Sequence, residues 1–122
     1  PTFATLAQTD APVNIDGMSF KQALLNNETL GQQRTLYWEF HGQSGKQAVR
    51  MGKWKAVRLN VHEKGFHDDI ELYNLKTDPG ETENIASEHK DIVEEMKHIM
   101  ANEHLYSDNF PFDFELEDQS LK

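Results

Sequence analysis

Three features of this 122-residue chain could do chemistry: its histidines, a basic strip and one polar turn. His41 closes the run Tyr37-Trp38-Glu39-Phe40-His41 and leads straight into Gly42-Gln43-Ser44-Gly45. A histidine at a strand end beside a tight turn can donate to an anionic oxygen or to a leaving hydroxyl. Its structural alternative is a solvent-facing strand-end residue. Gln47 and Arg50 follow the turn. The guanidinium fork of Arg50 could clamp an anion bidentately. The simpler role for Arg50, and the favoured one, is a cross-strand ion pair with Glu39. Lys46, Arg50, Lys53, Lys55 and Arg58 occur between positions 46 and 58 with no acid among them. A sulfated or carboxylated substrate could use such a strip, although Lys53 and Lys55, flanking Trp54, read first as solvated sheet residues.

Other constellations are weaker. His62, His67, Asp68 and Asp69 surround Gly65. A metal site needs three or four converging ligands on a rigid frame, which a glycine-containing loop does not supply. His98 and His104 stand six apart, off the i, i+4 spacing that would put both on one helical face. No metal site is therefore expected. The chain has no cysteine, which excludes disulfides, thiolate ligands and a cysteine nucleophile.

The elements that must position these residues follow from periodicity. Pro1–Ala7 reads as the end of a helix, and Met18–Leu25 as a short helix with Ser19 as its N-cap. Asn26–Gln33 reads as a polar connection. In Thr35–His41, Leu36, Trp38 and Phe40 alternate with Tyr37, Glu39 and His41, a period of two. We expect Leu36, Trp38, Phe40 and Trp54 to face the core, and His41 to face the other way; if exposed, the three aromatics could instead stack on a sugar ring. Further strands are expected over Lys46–Met51, Trp54–Val61 and Asp69–Leu75, separated by turns at Gly42–Gly45 and Gly52-Lys53 and a loop at His62–Asp68. Asp78-Pro79-Gly80-Glu81 has the residue order of a type II turn. Ser87 is the expected N-cap of a helix running to about His104. Ile92, Val93, Met96, Ile99 and Met100 form its apolar stripe. The expected fold is α+β, a roughly four-stranded antiparallel sheet against one long C-terminal helix, with short N-terminal helical segments. Along the chain this gives a connecting segment over 1–33, the sheet over 34–76, turn and helix over 77–105, and an acidic tail over 106–122, the whole being one domain.

Taken in order, Leu36-Tyr37-Trp38-Glu39-Phe40-His41, Gln47-Ala48-Val49-Arg50-Met51-Gly52-Lys53-Trp54-Lys55 and Glu71-Leu72-Tyr73-Asn74-Leu75-Lys76-Thr77-Asp78-Pro79-Gly80-Glu81 resemble the C-terminal subdomain of type I sulfatases, the formylglycine-dependent arylsulfatase family. Pro1-Thr2-Phe3 and Asp16-Gly17-Met18-Ser19-Phe20 fit the same pattern, so the likeness runs from Pro1 to about Phe112. It implies an intact enzyme that hydrolyses sulfate esters, with calcium and formylglycine in a preceding catalytic domain. In this chain no proline lies within a Cys/Ser-x-Pro-x-Arg signature, so no catalytic residue, metal ligand or cofactor is carried over. The likeness also implies that this piece packs on its own N-terminal catalytic domain and helps to form the pocket for a sulfated carbohydrate, with His41, Gln47 and Arg50 as candidate substrate-binding residues. Periplasmic or secreted localisation is implied by the likeness alone, since no signal peptide is visible. The alternatives are a non-catalytic carbohydrate-binding or interaction module, or a fragment of another alkaline-phosphatase-like hydrolase.

Charge narrows the partners. Residues 1–80 hold nine acids and nine Lys/Arg, whereas residues 81–122 hold twelve acids and three lysines, which accounts for the whole net charge of −9. A nucleic-acid partner is disfavoured, because phosphate binding needs a net basic surface. No apolar run approaches the roughly 20 residues of a membrane-spanning helix. Self-association of the piece is expected through Phe3 and Leu6, if the first helix lies open.

Overall fold

The computed structural model describes residues 1–27, 34–63, 69–112 and 115. The expected connection beyond Asn27, the loop holding Gly65, His67 and Asp68, and the acidic tail apart from Glu115 lie outside the described residues. The chain divides into two compact units, residues 1–33 and residues 34–122.

In the first unit, α1 spans Thr2–Leu6 and α2 spans Lys21–Asn26. The hydroxyl of Thr2, a buried residue, accepts from the Phe20 N–H at 3.1 Å, so the start of α2 is tied to the start of α1. The second helix begins later than its sequence suggests. Phe20, not Ser19, is its N-cap, and the Ser19 hydroxyl accepts only a long bond of 3.4 Å from the Lys21 N–H. Phe3 is largely exposed.

The second unit is built on four strands: β1 Leu36–Phe40, β2 Lys46–Met51, β3 Trp54–Leu59 and β4 Ile70–Asn74, followed by the helix α3, Lys90–Glu103. The sheet is antiparallel in the order β1-β2-β3-β4. The fold is thus α+β, as the periodicity implies. The β1–β2 reversal relies on left-handed backbone at Gln43, Ser44 and Gly45. A side chain at Gly45 would stand 2.4 Å from the His62 ring, so only glycine fits there.

Register decides what each strand buries. Tyr37 lies opposite Val49, which lies opposite Ala56, which lies opposite Leu72. These residues share the face on which Met96 and Met100 of α3 complete the core, with Val49, Ala56, Leu72, Met96 and Met100 all fully buried. Val49, Leu72, Met96 and Met100 each contribute roughly 1.5–3 kcal/mol on burial. Ile92, Val93 and Ile99 pack beside them, as the stripe in α3 implies. The outer edge of β4 is covered by the next segment: the Ile85 N–H donates to the Leu72 carbonyl at 2.9 Å, and the Asn84 side-chain oxygen accepts from the Leu72 N–H at 3.1 Å.

Three local expectations are corrected. Trp38 and Phe40 are not core aromatics: they are 48% and 56% exposed, on the face away from α3, while Tyr37 and Glu39 face the helix side. Alternation fixes two faces but not which one is covered. Trp54 does pack against the core. The turn at Asp78 is not type II, because the left-handed residue is Glu81, with φ 55°, and not Gly80. The Asp78 carboxylate accepts from the N–H groups of Thr82 and Glu83 at 2.8 and 3.0 Å, which draws the following chain back over it. The helix α3 is capped at His89 without a side-chain bond, not at Ser87.

Deleting buried volume where β4 meets the helix should be costly. Leu72→Ala is expected to destabilise the chain by about 2–5 kcal/mol, measured as a lower urea midpoint with unchanged slope. Trp38→Ala in the same background should cost clearly less; equal losses would show that both faces of the sheet are packed within this chain.

Candidate functional site

The helix-facing side of β1 carries more than core. Next to Tyr37 comes Glu39, opposite Gln47, which in turn lies opposite Arg58. These four polar side chains form a continuous chain of hydrogen bonds. Arg58 Nη1 donates to Gln47 Oε1 at 2.9 Å, Gln47 Nε2 donates to Tyr37 Oη at 2.8 Å, and the Tyr37 hydroxyl donates to Glu39 Oε1. Gln47 is only 2% exposed, and its side-chain oxygen and nitrogen are both spent here.

The chain of bonds continues beyond α3. His104, the residue that ends α3, contacts Glu39 Oε1 through Nδ1 and Glu115 Oε1 through Nε2, the latter at 2.6 Å. The other oxygen of Glu115 accepts from the Phe112 N–H at 2.7 Å. Ionised carboxylates only accept, so both ring nitrogens of His104 must donate. His104 is therefore an imidazolium between two carboxylates, one on the sheet and one beyond the helix. Phe112, fully buried, is held in place by the same arrangement.

Titration follows from these contacts. Burial by itself would lower the pKa of His104, but its hydrogen bonds to Glu115 and Glu39 and their charges outweigh it and raise the pKa. Burial would raise the pKa of Glu39, but the Tyr37 and His104 hydrogen bonds outweigh it, and its carboxyl sits below the usual range. Tyr37 is pushed far up, by burial first and then by its bond to Glu39. Tyr37 is thus held as a donor, Glu39 as an acceptor and His104 as the cation between its two carboxylates.

His41 differs from them. Its Nε2 lies 3.4 Å from Glu39 Oε2, so that nitrogen carries the proton. Its Nδ1 is buried and has no hydrogen-bond partner among the described residues. The ring stacks on Phe112 with centroids 4.3 Å apart, and lies 5.6 Å from the His62 ring and 5.9 Å from Phe110. His41 thus keeps one buried polar atom without a hydrogen-bond partner among the described residues. Among the described residues no group of three or more His, Cys, Asp or Glu could hold a metal ion.

Of the three residues the sequence singles out, the structure joins two. His41 and Gln47 belong to one network through Glu39 and Tyr37, whereas Arg50 stands on the opposite face, paired in register with Leu36 and Lys55. The expected ion pair of Arg50 with Glu39 does not form, because residues 47 and 50 on β2 point to opposite sides. Arg50 Nε instead donates to the Gly52 carbonyl at 3.5 Å. Lys53 and Lys55 are more engaged than expected. Lys53 Nζ lies 4.5 Å over the Trp54 ring, and Lys55 Nζ pairs with Glu81 at 2.6 Å. Sequence reasoning missed Glu39, His104 and Glu115. Glu115, in what the sequence reads as an acidic tail, is largely buried against His104. One signal was available: an acid inside an aromatic strand, placed between Tyr37 and His41.

Fold and motifs together place the chain in a sulfatase C-terminal family. It belongs to the family described as "N-sulphoglucosamine sulphohydrolase, C-terminal", which matches residues 1–105. An uncharacterized sulfatase of Schizosaccharomyces pombe is 42% identical over 59 residues, 48% of this chain and 10% of that protein. Among solved structures, Ps i-CgsB in complex with k-i-k-neocarrahexaose is 27% identical with a TM-score of 0.67, covering 84% of this chain and 22% of that one. BT4656 in complex with its substrate D-glucosamine-2-N,6-O-disulfate shares the fold at a TM-score of 0.64 and 23% identity, again over 84% of this chain and 22% of that one. The chain thus spans a tenth of the curated relative it matches and about a fifth of the solved ones.

The sign of the pH dependence can be worked out from the directions above. A histidine with a raised folded pKa contributes stability that is complete below its ordinary value of 6.5 and is lost as pH rises through the folded value. A carboxyl with a lowered folded pKa contributes stability that is complete above its ordinary value of 4.5 and is lost as pH falls through the folded value. The His104→Gln variant should therefore differ most from the parent between those two ordinary values, with the gap closing on the alkaline side. Urea titrations of both proteins from pH 4 to 9 check this; a constant gap would show that His104 acts by packing alone.

Proposed function

We propose that this chain is the C-terminal part of an enzyme that hydrolyses sulfate esters of sulfated glycans. It performs no chemistry by itself; it packs on the catalytic domain and supplies one wall of the substrate pocket. The observation that carries the reading is the family match over residues 1–105. It is supported by solved relatives whose complexes hold a neocarrahexaose and a glucosamine disulfate. Calcium and formylglycine would belong to the rest of the enzyme, because the 122 residues contain no Cys/Ser-x-Pro-x-Arg sequence to become the nucleophile. An exported location, in the periplasm or outside the cell, goes with this reading on family likeness alone.

Within the wall, His41 is the residue we assign to the substrate. Glu39 holds its Nε2–H, which leaves Nδ1 to accept from a sugar hydroxyl. Phe110 and Phe112 cover the ring in this chain, so the contact needs that aromatic cover to stand aside. Gln47 would act through the network, its amide being already spent. Arg50, on the other face, would need a different part of the substrate.

Two outcomes test the reading. The purified 122-residue chain should not turn over an aryl sulfate above a heat-killed control. In the full-length enzyme, His41→Ala should lower kcat/KM on a sulfated oligosaccharide by about three- to tenfold, the value of one neutral hydrogen bond. The same variant should leave a small aryl sulfate nearly unaffected, because that substrate does not reach the wall. Equal loss on both substrates, or loss tracking a lower Tm, would make His41 a structural residue.

A further inference from the structure

One aromatic ring sits among three imidazoles. Phe112, fully buried, has its ring centroid 4.3 Å from that of His41, 5.2 Å from that of His62 and 5.2 Å from that of His104. Three residues further on, Glu115 places one carboxylate oxygen 2.6 Å from His104 Nε2, and its other oxygen accepts from the Phe112 N–H at 2.7 Å. The segment that delivers these two side chains is otherwise lightly held. Leu105, Tyr106 and Phe110 are exposed, and Phe112 is the only buried residue among those described after His104. Phe112 also serves His41 badly. A phenyl ring has no group to donate to the buried Nδ1, which is left without a partner among the described residues. The cluster thus offers a cationic N–H donor, a ring-nitrogen acceptor and a flat stacking surface, and two residues from beyond the helix fill it.

We propose that Phe112 and Glu115 are a built-in occupant of a sugar-binding site, the phenyl ring lying in place of a pyranose and the carboxylate in place of its sulfate, and that a sulfated sugar displaces them. The inference rests on the sulfatase reading and adds His104 to the residues that hold the substrate. The chemistry matches group by group. His104 is a cation whose Nδ1–H is engaged by Glu39, so its Nε2–H is a positioned donor for an anion. A sulfate oxygen takes that donor as a carboxylate oxygen does. The His41 ring, on which Phe112 stacks with 19° between the planes, can take the C–H face of a sugar in the same way. A sugar also brings what phenylalanine lacks, a hydroxyl to donate to His41 Nδ1. One movement uncovers both histidines. When Glu115 leaves His104, Phe112 loses the acceptor of its N–H, and its hold on the His41 ring weakens with it. A ligand shifts such an equilibrium only if it binds the open form better. An anionic sugar does so here, because in the closed form its site is filled.

The test is hydroxyl-radical footprinting of the full-length protein. Oxidation of Phe112 is read by mass spectrometry as a ratio to that of exposed Leu105, which corrects for radicals scavenged by sugar. The probes are D-glucosamine-2-N,6-O-disulfate and k-i-k-neocarrahexaose, with D-glucosamine as the sulfate-free control. A saturating sulfated sugar should raise Phe112 oxidation about fivefold or more, the lower end of the usual coupling between linked equilibria, and D-glucosamine should not. Glu115→Gln should raise it similarly without sugar, because one uncharged amide oxygen replaces the two that accept from His104 and Phe112. Leu72, fully buried in the core, should stay protected throughout and reports that the fold is intact. If Glu115→Gln exposes Leu72 as well, the sugar comparison on the parent protein decides alone. Protection of Phe112 that neither sulfated sugar relieves would overturn the proposal, as would equal relief by D-glucosamine. A folded Glu115→Gln variant with Phe112 still protected would overturn it too. Sulfate release from the sugars in the same samples reports on the sulfatase reading separately. Release with Phe112 still protected refutes the built-in occupant and leaves the sulfatase reading intact. No release with Phe112 exposed supports the site and refutes hydrolysis of these esters.

Discussion

The register of β1 against β2 is the constraint on which the rest of the second unit depends. Pairing Glu39 with Gln47, and not with a neighbour one residue away, turns Tyr37 and Glu39 toward α3 and Trp38 and Phe40 away from it. A slip of one residue would bury Trp38 and Phe40 and expose the acid. The left-handed turn through Gln43, Ser44 and Gly45 holds that register. The chain entering the following loop adds to it, where the Val61 and His62 N–H groups donate to the Gly45 and Ser44 carbonyls at 3.2 and 2.8 Å.

Burying a carboxylate behind a sheet would ordinarily be unfavourable, because an unpaired charge loses its hydration. Glu39 avoids this by accepting from Tyr37, His104 and His41. The solution is distributed: an edge strand supplies the acid, the residue capping the helix supplies the cation, and the segment beyond the helix supplies a second acid. Removing any one member leaves the others buried and unmatched, so the network specifies the arrangement as well as supporting it. The same ties bring Phe112 onto the His41 ring.

The two faces of one sheet therefore have separate duties. The covered face combines the aliphatic core at β2–β4 with the polar network near β1, and His41 stands where the network meets the turn. The open face collects exposed aromatics and cations.

Much of this was legible in the amino-acid order. Four strands, the long helix with Met96 and Met100 in its stripe, and the family follow from alternation, helical spacing and ordered motifs, all of which are local properties. The side of the sheet that is covered is not local. Leu36, Trp38 and Phe40 read as the buried set because they are the more apolar half of β1, yet Tyr37 and Glu39 face α3. The helix is placed by Val49, Ala56 and Leu72 on the other strands, and β1 must follow their register. The site shows the same division. His41 and Gln47 stand out in sequence by their position beside a turn, whereas His104 and Glu115 become partners of Glu39 only when the helix returns across the sheet, 65 residues later in the case of His104. Spacing cannot reveal a contact that long-range packing alone creates, and that is why the charge network belonged to the tertiary structure while the fold class belonged to the sequence.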